Sequence, residues 1–141
     1  MDRDKLWTIM LSKGIPTHLI TIIQKIYIEN IIRVNEGNGI SEDSRAITQG
    51  VRQGCPLSHI LFNIYLDEVI RIWLQKLKAS KYIKYLIFKT LLFADDQFIN
   101  SDTEVNLQKA VYLLYNISEE YDLEIATKKT KCIWFRWDGS P

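Results

Sequence analysis

Two adjacent carboxylates, Asp95 and Asp96, interrupt an apolar run that extends from Leu91 to Ile99. Apolar runs of this length, rich in Phe and Ile, predict two strands joined by a tight connection, which puts the acids at a hairpin tip. Two like charges about 4 Å apart repel by ~1 kcal/mol in water, and short hairpin turns favour glycine-containing pairs instead. A divalent cation would turn the repulsion into attraction. These nine residues alone are interpreted either as a metal site or, more simply, as a solvated acidic turn.

A second stretch with residue types suited to chemistry runs from Gly50 to Ser58. Gly50 and Gly54 bracket Arg52 and Gln53, and Pro56 then suits the first position of a helix. A glycine-rich turn that leads into a helix N-terminus presents backbone N–H groups to an anion, and glycine lets a ligand approach the backbone closely. The stretch indicates either a phosphate or sugar contact or a tight loop-to-helix junction, and its glycine content does not separate the two.

Length and composition limit the class of protein. With 141 residues, 47% of them hydrophobic, the chain is long enough for one domain with a core. Its 18 basic and 17 acidic residues nearly cancel, so the net charge does not attract nucleic acid. Any site for a polyanion must therefore come from a local cluster of basic residues. The two cysteines make neither a disulfide framework nor a metal-spaced set. With no signal peptide and no apolar run of ~20 residues, we predict a soluble intracellular protein, cytoplasmic or nuclear, without a membrane partner.

Four helices are predicted to carry these stretches. The first covers residues 2–13, the second begins after a cap at Thr17, the third runs from Pro56 to about Lys78, and the fourth begins at a capping box, residues 101–104. The residues expected on the buried faces are Leu6, Trp7, Met10 and Leu11 in the first helix, Ile20, Ile23, Ile26 and Tyr27 in the second, and Leu107, Val111, Leu114, Ile117 and Tyr121 in the fourth.

Besides the acidic hairpin, three segments carry strand or basic patterns. Residues 31–34 and 45–48 predict a hairpin with a loose tip at 35–39, and residues 132–135 predict a further strand. Lysines alternate with aromatic residues between Lys81 and Lys89, which indicates either a phosphate-facing surface or simply a solvated one.

The order of these motifs resembles the reverse transcriptase domain of non-LTR (LINE-like) retrotransposons. The resemblance rests on three blocks, Gly50–Ser58 with Leu61-Phe62 after it, Phe93-Ala94-Asp95-Asp96, and residues 123–130. It covers nearly the whole chain, from Asp4 to Lys131. The resemblance implies an α+β fold in which a palm-like antiparallel sheet packs on helices, with residues 1–141 forming one partial palm domain.

The resemblance also implies an activity, RNA-directed DNA synthesis from an RNA template, a DNA primer and a deoxynucleoside triphosphate. Two Mg²⁺ ions would be held by carboxylates. Asp95 would be the principal catalytic ligand, Asp96 its companion, and Lys129 the basic residue near the leaving pyrophosphate. The residues implied to bind template or substrate are Gly50, Arg52, Gln53, Gly54 and Phe93, although a salt bridge explains Arg52 equally well.

The match to this family is incomplete. The family takes a third carboxylate from a strand that would end just before Met1, while Asp2 and Asp4 are better interpreted as helix-start acids. The first palm strand, most of the fingers and the thumb are also missing from the 141 residues. We therefore expect the isolated chain to be inactive or nearly so, and leave open whether it is an enzyme. The alternatives are a catalytically dead, host-retained remnant that binds RNA or a protein partner, and a product that does not fold stably.

Overall fold

The fold combines helices with antiparallel strands, which confirms the predicted α+β class. The computed structural model describes residues 1–28, 31–32, 45–46, 49–79, 90–93 and 95–135. In chain order the elements of this part are α1 (Arg3–Ser12), α2 (Thr17–Ile28), β1 (Ile31–Ile32), β2 (Arg45–Ala46), α3 (Pro56–Ala79), β3 (Thr90–Phe93), β4 (Asp96–Ile99) and α4 (Glu104–Glu120). Within it, none of the helices is long and apolar enough to cross a bilayer.

Helix α1 begins where local chemistry predicts. The Asp2 carboxylate accepts hydrogen bonds from the backbone N–H groups of Asp4 and Lys5, at 2.7 and 3.2 Å, and so acts as the N-cap. The buried face is not the predicted one, because Ile9 is buried while Leu11 is 51% exposed. Leu11 was therefore wrongly assigned to the core: the face that meets α3 is set by how α1 is rotated about its axis, which the spacing of apolar residues leaves undetermined.

Helix α2 starts at Thr17 itself, so the predicted cap at Thr17 is wrong by one residue. The Pro16 carbonyl accepts from the N–H groups of Leu19 and Ile20, at 3.0 and 3.3 Å, which makes Thr17 the first helical residue. Ile20 is buried as predicted, but Ile26 is 43% exposed and its predicted burial is wrong. The apolar residues of α2 surround more of its circumference than one neighbouring helix can cover.

The long helix α3, close to its predicted bounds, divides the core into two apolar clusters. Its N-terminal half packs with α1 and α2 in the first cluster, and its C-terminal half packs with α4 in the second. The buried members are Leu6, Ile9, Met10, Ile20, Tyr27, Leu61 and Tyr65 in the first cluster, and Val69, Ile70, Trp73, Leu77, Ala110, Leu114 and Ile117 in the second.

Two buried aromatic side chains on α3 connect it to α4 by hydrogen bonds. The Trp73 indole Nε1 donates to the Ala110 carbonyl at 2.9 Å, and Trp73 is fully buried. The Tyr65 hydroxyl donates to the Tyr121 carbonyl at 2.6 Å. Burial raises the pKa of the Tyr65 phenol to about 12, so it remains a donor at neutral pH. Apolar spacing did not identify Trp73, although its indole joins the two helices.

Helix α4 begins in the predicted segment but with a different cap. The Thr103 hydroxyl accepts from the Asn106 N–H at 3.3 Å, whereas the predicted capping box would have used Ser101. Ser101 instead donates to the Thr103 carbonyl at 3.2 Å. Val111 was expected in the core and is 37% exposed, while Ala110 beside it is fully buried. A small residue at position 110 lets α3 approach α4 closely, and this turns the contact face away from Val111.

The strands of the described part of the chain form two antiparallel pairs. In the acidic hairpin, β3 pairs with β4 from Thr90 opposite Ile99 to Phe93 opposite Asp96, so the predicted hairpin with acids at its tip is confirmed. Strands β1 and β2 pair antiparallel, which confirms the other predicted hairpin at those four residues. Its tip, residues 35–39, and the basic stretch 81–89 lie outside the described residues.

The strand predicted at residues 132–135 does not form, because residues 131–135 have no regular secondary structure. Ile133 and Trp134 are both 68% exposed, and Phe135 is 84% exposed. A strand exists only where its backbone groups pair with a neighbour, so high β-propensity does not make one by itself.

A pH prediction follows from Glu68 on α3. The carboxylate of Glu68, largely buried, is hydrogen-bonded by the Arg71 guanidinium, with Lys13 Nζ at 3.9 Å. The bond from Arg71, with added attraction from Arg71 and Lys13, holds the pKa of Glu68 below its ordinary value although burial opposes this. The pKa of Glu68 is lower in the folded protein than in the unfolded one, so its charge interactions stabilise the fold at pH values above the unfolded-state pKa. This stabilisation is lost as the pH falls through the folded-state pKa.

We therefore expect Glu68→Gln to lose less stability than the wild type when the pH is lowered from about 6 to about 3. Urea unfolding at stepped pH measures this. Asp102→Asn, at an exposed carboxylate ahead of α4, is the control for a change of net charge. A wild type and a Glu68→Gln variant with the same pH slope would contradict the assignment.

Candidate active site

The two aspartates occupy the end of the β3–β4 hairpin. Asp96 is the first residue of β4 and pairs with Phe93, while Asp95 lies in the turn just before it. Both side chains are exposed. The hairpin is fastened at its other end, where Thr90 Oγ1 donates to the Phe98 carbonyl at 3.1 Å and accepts from Gln97 Nε2 at 3.2 Å. The two aspartates therefore lie on a short hairpin that side-chain hydrogen bonds reinforce, and strand pairing fixes the backbone of Asp96.

A cavity of about 440 Å³ lies beside this hairpin, between α3, α4 and the chain that follows α4. Its floor is apolar and comes from the two helices, and its rim is polar. The floor residues are Phe62, Leu66, Val69, Ile70, Val111 and Leu114. The charged rim residues are Asp95, Asp96, Glu124, Lys129 and Lys131. Carboxylates and ammonium groups thus line the same cavity as a group of apolar side chains.

The segment after α4 brings Lys129 to this rim. Asp122 turns the chain with a left-handed φ of 52°, and the Leu123 N–H donates to the Ser118 carbonyl at 2.9 Å. Farther along, the Ala126 carbonyl accepts from the N–H groups of Lys129 and Thr130, at 2.9 and 3.0 Å. This closed turn fixes the backbone of Lys129, so its side chain starts from a defined position on the cavity rim.

The structure therefore brings together three of the residues implied by the resemblance, Asp95, Asp96 and Lys129. Gly50, Arg52, Gln53 and Gly54 lie outside this cavity, in the loop that leads into α3. The two places are connected through α3, since Phe62 on the cavity floor is about 9 Å along the helix axis from Pro56. Phe93 also lies outside the cavity, next to the hairpin tip, and is 83% exposed.

The loop before α3 has the backbone that its glycines predicted. Gly50 and Gly54 have φ angles of 75° and 79°, in the left-handed region that glycine adopts without strain. The side chains of Arg52 and Gln53 are exposed. The loop thus presents a basic and an amide side chain to solvent immediately before the helix N-terminus.

The donor chemistry of the hairpin tip fits Mg²⁺ in part. Asp95 and Asp96 offer hard carboxylate oxygens, the ligand type that Mg²⁺ prefers. No group of three or more His, Cys, Asp or Glu side chains among the described residues is arranged to hold a metal ion. In the described part of the chain, the hairpin tip thus brings two carboxylates together without a third one beside them.

Glu124 is a rim residue that the sequence did not identify. It lies in the apolar-acid-apolar alternation Leu123-Glu124-Ile125, in which both flanking residues pack against the second cluster. That alternation was a signal that one side of the segment is buried and the other is not. What it could not tell is that Glu124 borders the cavity of Asp95 and Asp96.

Comparisons with known proteins agree with the geometry. Residues 2–136 match the model of the family described as reverse transcriptase (RNA-dependent DNA polymerase). The Retrovirus-related Pol polyprotein from type-2 retrotransposable element R2DM of Drosophila melanogaster is 29% identical over 108 residues, which cover 77% of this chain and 10% of that polyprotein. This chain thus spans about a tenth of the relative's length. No solved structure is significantly similar. The chain belongs to the reverse transcriptase family, as a domain of the non-LTR retrotransposon type.

Proposed function

We propose that this chain supplies the aspartate pair and the pyrophosphate-side lysine of an RNA-directed DNA polymerase, and that residues 1–141 are one partial palm domain. The observation that carries the proposal is that Lys129 lines the same cavity as the adjacent Asp95 and Asp96, although a strand and a helix separate it from them in the sequence. The partners are an RNA template, a DNA primer and a deoxynucleoside triphosphate.

The chemistry assigned to each residue follows from its charge and place. The carboxylate oxygens of Asp95 and Asp96 would hold Mg²⁺, which when bound activates the primer hydroxyl and neutralises charge on the triphosphate. The Lys129 ammonium donates a hydrogen bond to the leaving pyrophosphate, where negative charge develops.

The loop before α3 is assigned to the nucleic acid and the nucleotide. Gly50 and Gly54 allow close approach to the backbone, and the exposed Gln53 amide can donate and accept hydrogen bonds at a base or sugar. Arg52 would contact a phosphate. Phe93, exposed beside the hairpin tip, would contact the template or the nucleotide through its ring.

Metal binding tests the aspartate pair without requiring catalysis. Mn²⁺ titrated into the 141-residue chain should bind at the hairpin, and the double variant Asp95→Asn/Asp96→Asn should weaken that binding by at least about tenfold, since metal sites lose this much even when supporting residues change. Electron paramagnetic resonance of free Mn²⁺ measures it. Asp102→Asn, an exposed carboxylate nearby in sequence, is the matched control.

Equal Mn²⁺ affinity in the wild type and the double variant would reject the aspartates as metal ligands. RNA binding supplies the second readout: salt-dependent binding of RNA that the double substitution leaves unchanged, together with unchanged Mn²⁺ affinity, would favour an RNA-binding module without catalysis.

A further inference from the structure

A polar network ties the loop before α3 to helices α1 and α2. Arg3 Nε donates to the Gly50 carbonyl at 3.0 Å, and its Nη1 donates to the Tyr27 carbonyl at 3.1 Å. The guanidinium also lies 5.1 Å from the centre of the Tyr27 ring. The Gly50 N–H donates to the Met1 carbonyl at 3.0 Å. Both backbone groups of Gly50 are therefore held by the start of the chain.

The other end of the loop is held from inside the first cluster. Ser58 Oγ donates to the Arg52 carbonyl at 2.6 Å and lies 3.1 Å from the Tyr27 hydroxyl. Because the single Ser58 proton is used on Arg52, the Tyr27 hydroxyl must be the donor to Ser58. Tyr27 and Ser58 are 2% and 3% exposed, so this chain of hydrogen bonds is shielded from water.

The anchoring hydrogen bonds reach the backbone of the loop and leave two of its side chains exposed. Arg3 donates to the Gly50 carbonyl and Ser58 donates to the Arg52 carbonyl, with Tyr27 behind both donors, while the side chains of Arg52 and Gln53 stay exposed. Glycine-containing loops lose much conformational freedom when they become ordered. A loop that is ordered before its ligand arrives binds more tightly, because less freedom is lost on binding.

We propose that Arg3, Tyr27 and Ser58 are positioning residues, which order the Gly50–Gly54 loop for contact with an RNA–DNA hybrid without touching that hybrid themselves. The inference rests on the proposed function of the loop. Arg3 acts here through the two hydrogen bonds that its guanidinium donates to the Gly50 and Tyr27 carbonyls. An arginine that attracts phosphate would act through its charge instead. Arg3→Lys keeps the charge and loses the fork, and Tyr27→Phe removes only the hydroxyl that donates to Ser58.

The test measures hydrogen exchange in the full 141-residue chain, with and without an RNA–DNA hybrid, in peptides that cover residues 49–58. Arg3→Lys and Tyr27→Phe are each expected to speed exchange of the Gly50 and Cys55 amides by about fivefold, the change that loss of one hydrogen bond gives. Fluorescence anisotropy with a labelled hybrid is expected to show binding weakened by a similar factor. Lys25→Ala, at an exposed lysine in the last turn of α2, should change neither value.

The outcomes distinguish a failure of the positioning role from a failure of the proposed function of the loop. Unchanged loop exchange in both variants of the free chain overturns the inference, whatever the hybrid does. Faster exchange with unchanged hybrid affinity also overturns it, because the network would then be structural only. A wild-type loop that gains no protection when the hybrid is added overturns the proposed function of the loop and, with it, the positioning role, while the exchange of the free variants still reports whether the network orders the loop.

Discussion

Asp95→Asn is expected to lower RNA-templated primer extension by at least about 1,000-fold, because a metal-held charge in the transition state is worth several kcal/mol. The protein for this measurement is the present chain joined to the family's upstream and downstream polymerase segments, which would supply the third carboxylate, the fingers and the thumb that the resemblance implies. Asparagine keeps the size of Asp95 and one oxygen but removes the negative charge. Incorporation of labelled nucleotide on an RNA template, at fixed Mg²⁺, gives the rate.

Two controls accompany this experiment. Asp102→Asn, which removes an exposed carboxylate away from the cavity, should leave extension unchanged. The 141-residue chain without these added segments should give no extension above the Asp95→Asn background. Robust Mg²⁺-dependent extension by the 141 residues alone would reject the expected inactivity, and full extension by Asp95→Asn would reject the catalytic assignment.

Trp73→Ala is expected to lower the free energy of unfolding by about 4 kcal/mol, within the range for deleting a large buried aromatic side chain. Trp73 is fully buried between α3 and α4, where it belongs to the second cluster. Its removal leaves a cavity and also leaves the Ala110 carbonyl without the indole donor. Urea denaturation followed by far-ultraviolet circular dichroism measures the change, provided that the transition is two-state.

Trp134→Ala is the matched control, since it deletes the same side chain at a position that is 68% exposed. We expect it to change the free energy of unfolding by no more than about 0.5 kcal/mol, the usual range for surface substitutions. Equal losses in the two variants would show that α3 and α4 do not enclose Trp73 as described. A cooperative melt of the wild type would also exclude the alternative that the chain does not fold stably.

Local chemistry predicted where the helices lie along the chain, but it did not predict which face of each helix is buried. The acidic start of α1 and the Pro56 start of α3 depend on hydrogen bonds and backbone geometry within a few residues, so they were predictable, although Asp2 is the N-cap and not a first-turn residue. Leu11, Ile26 and Val111 are apolar and correctly spaced, yet they are exposed. Which side of an apolar helix is buried depends on the position of the neighbouring helix, and this information is not local.

The candidate site, too, has features that local sequence predicted and features that it did not. The tandem aspartates at a hairpin tip followed from an apolar run broken by two acids, and the glycine backbone of the loop followed from Gly50 and Gly54. Glu124 could not be assigned to the same rim, because its segment reaches the hairpin only after α4 has packed on α3. The strand predicted at residues 132–135 is absent for a related reason, since a strand needs a partner and propensity does not supply one.

The amino-acid sequence by itself determined where the helices lie to within about two residues, the two hairpins, the acidic tip and, through its motif order, the family. Each of these depends on neighbours within one or two turns of the chain or on residue identity alone. Only the tertiary structure decided that Asp95, Asp96 and Lys129 share one cavity and that Arg3 holds the Gly50 carbonyl. Those contacts join residues tens of positions apart, and they form because α3 packs against α1 and α2 at one end and against α4 at the other.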